Sequence, residues 1–296
     1  MSEYHTPVLL KESVSALQIK PSGVYVDATF GGGGHSRAIL EALSPQGRLI
    51  AFDQDEEALA NAPDDDRLIP VHSNFRFIRN WIRYHGFNGV DGVLADLGVS
   101  SHQFDTEERG FSFRFPAELD MRMNAGAAVS AQEIVNSYSR ECLERIFREY
   151  GEVDCSRKAA ALVCEARALS PIRTTEQLNA ALEKVTPQAA PHKFLAKIYQ
   201  ALRIEVNDEM GALERFMPMA IKSLNEGGIL AVITYHSLED RIVKNAIRDG
   251  VGAGLLKKVT SKPVLPQEDE IERNTRARSA KLRTALRTEV EYRVLP

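Results

Sequence analysis

Four consecutive glycines, Gly31–Gly34, stand between two aspartates, Asp27 and Asp53, each of which ends a short apolar run. Glycines there take positive φ and let a ligand approach the backbone. The helix start behind them offers unpaired N–H groups. A dinucleotide fingerprint needs G-x-G-x-x-G, but Gly31-x-Gly33 leads to Ser36 and Gly32-x-Gly34 to Arg37. A phosphate-binding P-loop is excluded too, because no Lys-Ser/Thr pair follows the glycines. Asp27 is awkward beside a pyrophosphate and suits an ammonium group. Asp53 is placed to accept from ribose hydroxyls. A third acid, Asp96, ends the run Val93–Ala95 and can orient or deprotonate an amine, or only hold a ligand. His236, after the run Ile229–Tyr235, can reach the same region. Its plainer account is a helix start with a Ser237-x-x-Asp240 capping box.

These residues need a frame that gathers them. Val24–Asp27, Arg48–Asp53, Leu68–Val71 and Gly89–Leu97 read as strands. Helical patterns follow the first three: one after the glycines, then Glu56–Ala62 and Phe75–Tyr84. That alternation predicts an α/β fold with a parallel, Rossmann-like sheet and helices on both faces. Ligands bind at the carboxyl ends of such strands. A group with ribose, amino acid and adenine but no phosphate satisfies the set, which is S-adenosylmethionine. The alternative is a tight turn with solvated acids. Phe75 either stacks on the adenine or faces the core.

From Thr106 to Ile204 the signals become almost wholly helical. Leu143, Ile146, Phe147 and Tyr150 repeat at helix spacing, as do Leu178, Ala181, Leu182 and Val185. Ser130-x-x-Glu133 and Thr174-x-x-Gln177 fit capping boxes. We therefore expect a methyltransferase-type cofactor domain over 1–105 and 205–296, with a helical, substrate-binding insertion over 106–204. Past it, Asn207 is expected to cap a helix running to Leu224. Ser237–Arg248 reads as helix, Leu255–Val259 and Thr288–Val294 as edge strands, and Ser261–Asn274 as a mobile loop.

Of the 296 residues, 44% are apolar and 26% charged, which excludes disordered, collagenous and coiled-coil classes. The net charge of −4 confines any nucleic-acid site to a local patch. Three cysteines without a C-x-x-C pair argue against disulfides and structural zinc, and the histidines are scattered, so no metal is expected. The longest apolar run is Ile229–Tyr235, and no secretory signal is visible, so the expectation is a soluble, cytoplasmic protein without membrane contact.

The chain resembles the RsmH/MraW family of bacterial 16S rRNA cytosine-N4 methyltransferases. The matching segments run in order: His5–Leu10, Asp27–Ser36, Asp96–Gln103, Arg109–Phe113, Leu119–Met123, Gln200–Ile204, His236–Arg241 and Arg276–Ala280. Tyr235 stands where that family usually has Phe, and Glu118 where it has Pro. The resemblance implies a class I methyltransferase fold and S-adenosylmethionine contacts from Gly33, Gly34, His35, Asp53, Phe75, Asp96 and Gln103. It implies methylation of a cytidine N4 amine in the decoding region of the small ribosomal subunit, with 16S rRNA as partner. A DNA or small-molecule aminomethyltransferase and a binding scaffold without turnover are the competing classes. Two segments suit RNA: Arg109, Phe111, Phe113, Arg114 and Phe115 interleave charge with rings, and Arg273–Arg287 holds six basic residues and no acid.

Overall fold

The computed structural model describes residues 7–100, 103–104 and 106–289. His5, Thr6, Ser101, His102, Asp105 and positions 290–294 of the expected last strand lie outside them. The chain forms two compact units, Met1–Gly98 with Met210–Pro296, and Val99–Glu209.

The first unit is built on a seven-stranded sheet of order β3-β2-β1-β4-β5-β7-β6. The strands are β1 (Val24–Asp27), β2 (Arg48–Asp53), β3 (Leu68–His72), β4 (Val90–Asp96), β5 (Leu224–Thr234), β6 (Leu256–Lys258) and β7 (Lys281–Arg287). β1 to β5 are parallel, and β7 runs antiparallel to β5 and β6. The central strands are buried along nearly their whole length because helices cover both faces. Side chains alternate between those faces. Val26, Phe52, Val93 and Val232 pack with α4 (Ile78–Tyr84), α10 (Glu209–Ser223) and α11 (Ser237–Gly252). Tyr25, Ala51, Leu94 and Ala231 pack against the other layer, which includes α1 (Leu10–Ala16) and α2 (Gly34–Ala42). The strand order reverses between β1 and β4, which opens a crevice at their carboxyl ends.

The second unit is helical in its regular elements: α5 (Ala131–Ser137), α6 (Arg140–Glu149), α7 (Ser156–Leu169), α8 (Thr175–Leu182) and α9 (Pro191–Asn207). Its core gathers the apolar stripes read from the sequence, including Leu143, Ile146, Phe147, Leu178 and Leu182. Thr174 and Gln177 form the expected capping box, whereas at α5 Ser130 accepts from the Glu133 N–H.

Several local expectations are corrected. Asn207 does not cap the following helix. It ends α9, where its side chain ties Met121, Met123 and Arg203, and Asp208 at φ 47° breaks the helix. Lys281–Arg287 forms a strand that the sequence reading did not give, with Leu282 and Ala285 at its buried positions; of the expected strand Thr288–Val294 only Thr288 and Glu289 are described, and neither is in a strand. The segment 261–274 is anchored: Val264 bridges to Leu282, and in helix α12 (Glu268–Arg273) Glu270 accepts from the Leu9 N–H at 2.7 Å. Helix α3 shortens to Glu56–Leu59.

Candidate functional site

The carboxyl ends of β1, β2, β4 and β5 bring Asp27, Asp53, Asp96 and Tyr235 to one end of the sheet. β1 passes into the loop as Ala28 N–H donates to Leu94 and Phe30 N–H to Phe52. Gly31 and Gly33 take φ of 51° and 73°, where a side chain would be strained. At Gly34 a Cβ would fall 2.1 Å from Pro7 Cγ, so α2 can start this close only on glycine.

The two acids flanking the loop are held by N–H and O–H donors. Asp27 is buried, and its Oδ2 accepts from the Ser36 hydroxyl at 2.7 Å while Oδ1 accepts from the Thr29 N–H. Ser36 occupies the position where a dinucleotide loop needs its third glycine, and its hydroxyl fixes the aspartate. Burial raises the Asp27 carboxyl to about 6 against the pull of Ser36 and Thr29. Asp53 accepts from Gly31 N–H at 2.8 Å and Asp55 N–H at 2.9 Å, and burial raises its pKa as well.

Asp96 is held differently. Its backbone N–H donates to the Thr29 hydroxyl at 2.7 Å, but its carboxylate receives one hydrogen bond, from the Tyr235 hydroxyl to Oδ1 at 2.7 Å. Oδ2 has no hydrogen bond with a described residue, and His35 Nδ1 stands 3.8 Å away. The side chain keeps 23% of its surface accessible. Desolvation pushes its pKa up to about 7; Asp27 and Glu239 add to the rise, and the Tyr235 hydrogen bond opposes it. His35 is buried, and desolvation lowers it to about 4, so a neutral ring faces the carboxyl. Among the described residues none of these three aspartates pairs with a lysine or arginine. A desolvated acidic crevice of this kind fits a ligand that is cationic and free of phosphate, as S-adenosylmethionine is.

The remaining candidates are placed as follows. Phe75 is half-buried with its ring edge against Phe216, centroids 4.9 Å apart. Gln103 belongs to the second unit, where it is buried and exchanges hydrogen bonds with Ser100. His236 is the N-cap of α11: its Nδ1 accepts from the Glu239 N–H, and its Nε2 lies 3.1 Å from Glu239 Oε1. The capping box is therefore His236/Glu239, one residue earlier than the expected Ser237/Asp240. Tyr235 and Ser36 were not singled out from the sequence. The signal available for Tyr235 was a hydroxyl added where the resembled family has a plain ring.

The two expected RNA segments are largely committed elsewhere. Phe111 is buried in the helical unit, and Phe113 packs on His192 and Tyr199. The Arg109 guanidinium donates to the Arg122 and Met123 carbonyls. Only Arg114 and Phe115 of that run are exposed. In the basic stripe, Arg283 makes a two-bond contact with Asp240 at 2.7 and 3.1 Å, Lys281 lies 3.6 Å from the same carboxylate, and Arg273 pairs with Asp269.

Comparison with known proteins bears on the chain as a whole. The MraW methylase family matches residues 2–288. The ribosomal RNA small subunit methyltransferase H of Flavobacterium johnsoniae is 51% identical over 294 residues, covering 96% of this chain and 97% of its own. The protein of that name from Bacteroides fragilis is 51% identical, with 95% and 97% covered. A solved structure titled as a putative rRNA methylase from Clostridium thermocellum aligns at a TM-score of 0.43 with 13% identity, over 96% of this chain and 100% of that one, too distant to bear on the chemistry. A match from one end of the chain to the other, on a sheet whose glycine loop and acids stand at the switch point, leaves one conclusion: the chain belongs to the MraW methylase family.

Proposed function

We propose that this chain is an S-adenosylmethionine-dependent methyltransferase that methylates the exocyclic N4 amine of a cytidine in 16S rRNA, within the decoding region of the small ribosomal subunit. The family and the relatives named for small-subunit rRNA methylation support the activity. The observation that carries the chemistry is Asp96, a desolvated carboxyl with one oxygen fixed by Tyr235 and the other without a hydrogen bond to a described residue. Bound S-adenosylmethionine supplies a methyl group on a sulfonium. Gly33, Gly34 and His35 would shape its cradle, Asp53 would take its ribose, and Phe75 would complete the contacts from this unit. Asp27 offers negative charge to its ammonium group.

The N4 amine is a weak nucleophile because its lone pair is delocalised into the ring. Most of the rate comes from holding the amine in line for attack. Asp96 Oδ2 accepts one amine N–H, which turns the nitrogen toward the methyl group. As nitrogen attacks, that N–H becomes acidic and its proton passes to Asp96. A carboxyl with a pKa near 7 does this well near neutral pH. Tyr235 is a positioning residue: it fixes the Asp96 rotamer and steadies the negative charge. His236 is assigned no step beyond its cap. The target base is reached unpaired or flipped out.

Among the described residues no helix is long and apolar enough to cross a membrane, and we place the protein in the cytoplasm with its ribosomal substrate. The test is transfer of tritiated methyl to 30S subunits, followed by nucleoside mass spectrometry. N4-methylcytidine in 16S rRNA is expected. Transfer to naked DNA instead, or cofactor binding without transfer, contradicts the proposal.

A further inference from the structure

From β3 through α4 to the start of β4, Arg67–Val90 contains four arginines, two histidines, five aromatic residues and no acid, in a chain of net charge −4. The segment ends in the turn Phe75–Phe77 and helix α4. Ile78 and Ile82 bury one side of that helix in the sheet core. Its opposite side is not apolar filler. Phe77 is 49% exposed and Tyr84 77% exposed. Trp81, partly buried against the sheet core, lies between them at the border of the two sides, edge-on to Tyr84 at 5.3 Å and stacked on His85 at 5.9 Å. Positions 77, 81 and 84 form one ridge at helical spacing. Arg79 and Arg83, four residues apart, form the neighbouring ridge, and neither guanidinium pairs with a described residue.

Resting on the RNA-methyltransferase reading above, we propose that this face of α4 binds an unpaired stretch of the RNA substrate, with bases on the Phe77–Trp81–Tyr84 ridge and phosphates on Arg79 and Arg83. Rings beside unpaired arginines are what a single strand needs: every base has a face to stack, and each phosphate needs a cation. In a duplex the bases are stacked away, so the face discriminates by pairing state. A second copy of the chain fits less well. A two-fold contact would bring this acid-free face against itself, arginine to arginine.

The chain has one tryptophan, so Trp81 reports directly on the face. The full-length protein is titrated with a single-stranded oligoribonucleotide of about twelve nucleotides and with its duplex, following Trp81 emission and anisotropy of a label on the RNA. Saturable quenching by the single strand, and much weaker binding of the duplex, are expected. Phe77→Ala with Tyr84→Ala should lower affinity about 10- to 100-fold at every salt concentration, leaving the salt slope unchanged. Arg79→Gln with Arg83→Gln should reduce the slope of log affinity against log salt by about 1.4, from two phosphate contacts. Cofactor affinity by calorimetry should stay at the wild-type value in both, which also shows them folded. Wild-type RNA affinity in both variants, or RNA binding that leaves Trp81 emission unchanged, overturns the face. So does loss of concentration-dependent self-association with RNA affinity intact, which would assign the face to a second copy. Methyl transfer to 30S subunits is followed in parallel. Transfer with unaltered RNA affinity in the variants overturns the docking face alone. RNA binding lost in the variants while the wild type transfers nothing supports the face and overturns the methyltransferase reading.

Discussion

The acids at the ends of β1 and β2 and the acid at the end of β4 occupy one crevice, yet they are wired differently. Asp27 and Asp53 each hold at least two donors, one or more of them a backbone N–H. Their carboxylates are parts of the loop, and a change of charge there disturbs the loop. Among the described residues Asp96 receives one side-chain hydroxyl and keeps an oxygen unbonded. It can gain or lose a proton with the backbone unmoved. In a single crevice, the donor set separates acids that build a binding site from an acid that can work in it.

Substitutions that strip each side of this comparison should differ in kind. Asp96→Asn keeps the shape and removes the proton acceptor. Methyl transfer at saturating substrates should fall by about 10²- to 10⁴-fold, with cofactor affinity changed far less. An equal loss in cofactor affinity would make Asp96 a ligand contact and nothing more. Asp53→Ala should do the reverse. S-adenosylmethionine binding should weaken by about 1.5–3 kcal/mol by calorimetry, with turnover recovered at saturating cofactor.

Asp27 tests the loop through stability. Its carboxyl is raised from 3.8 to about 6, so the folded state holds the proton more tightly than the unfolded chain. That contribution is full below the unfolded value, declines as pH rises, and is gone above about 6. Asp27→Asn has no proton to lose. Without ligand, its stability loss between pH 4 and pH 8 should be smaller than wild type by on the order of 1–3 kcal/mol in denaturant melts. Equal losses would mean that Asp27 is not desolvated.

Tyr235→Phe is the gentlest change. Removing the donor that favours the Asp96 carboxylate should move the acid limb of the rate profile to higher pH, with a modest effect on the plateau. A uniform loss at all pH values would mark the hydroxyl as structural only.

The sequence made the site legible where chemistry and local structure coincide. A glycine run after a strand and an aspartate at each strand end are visible one residue at a time, and Asp27, Asp53 and Asp96 do meet at the switch point. Partners distant in the chain were not visible. Tyr235 lies 139 residues from the aspartate it holds. The stripe Arg273–Arg287 reads as free positive charge, but the fold lays β7 beside the start of α11, where Asp240 takes Arg283. Helix α4 shows the converse: its pattern reads as an ordinary amphipathic helix, and only the fold reveals that Arg79 and Arg83 stand beside exposed rings and pair with no described residue. Charge is a property of sequence, whereas available charge is a property of the fold.

The central claim is that Asp96 accepts the amine proton, and the pH dependence of kcat/KM for 30S methylation tests it most directly, because that ratio reports ionisations of the protein free of RNA. Below about 7 Asp96 is protonated and cannot accept, so log kcat/KM should rise with unit slope and level off above that value. The profile is taken at saturating S-adenosylmethionine, whose ammonium group keeps Asp27, otherwise near 6, ionised, and His35, with a pKa near 4, contributes nothing in this window. In Asp96→Asn the limb should vanish and leave a low, flat rate. A flat wild-type profile, or a limb that survives in Asp96→Asn, would contradict the account.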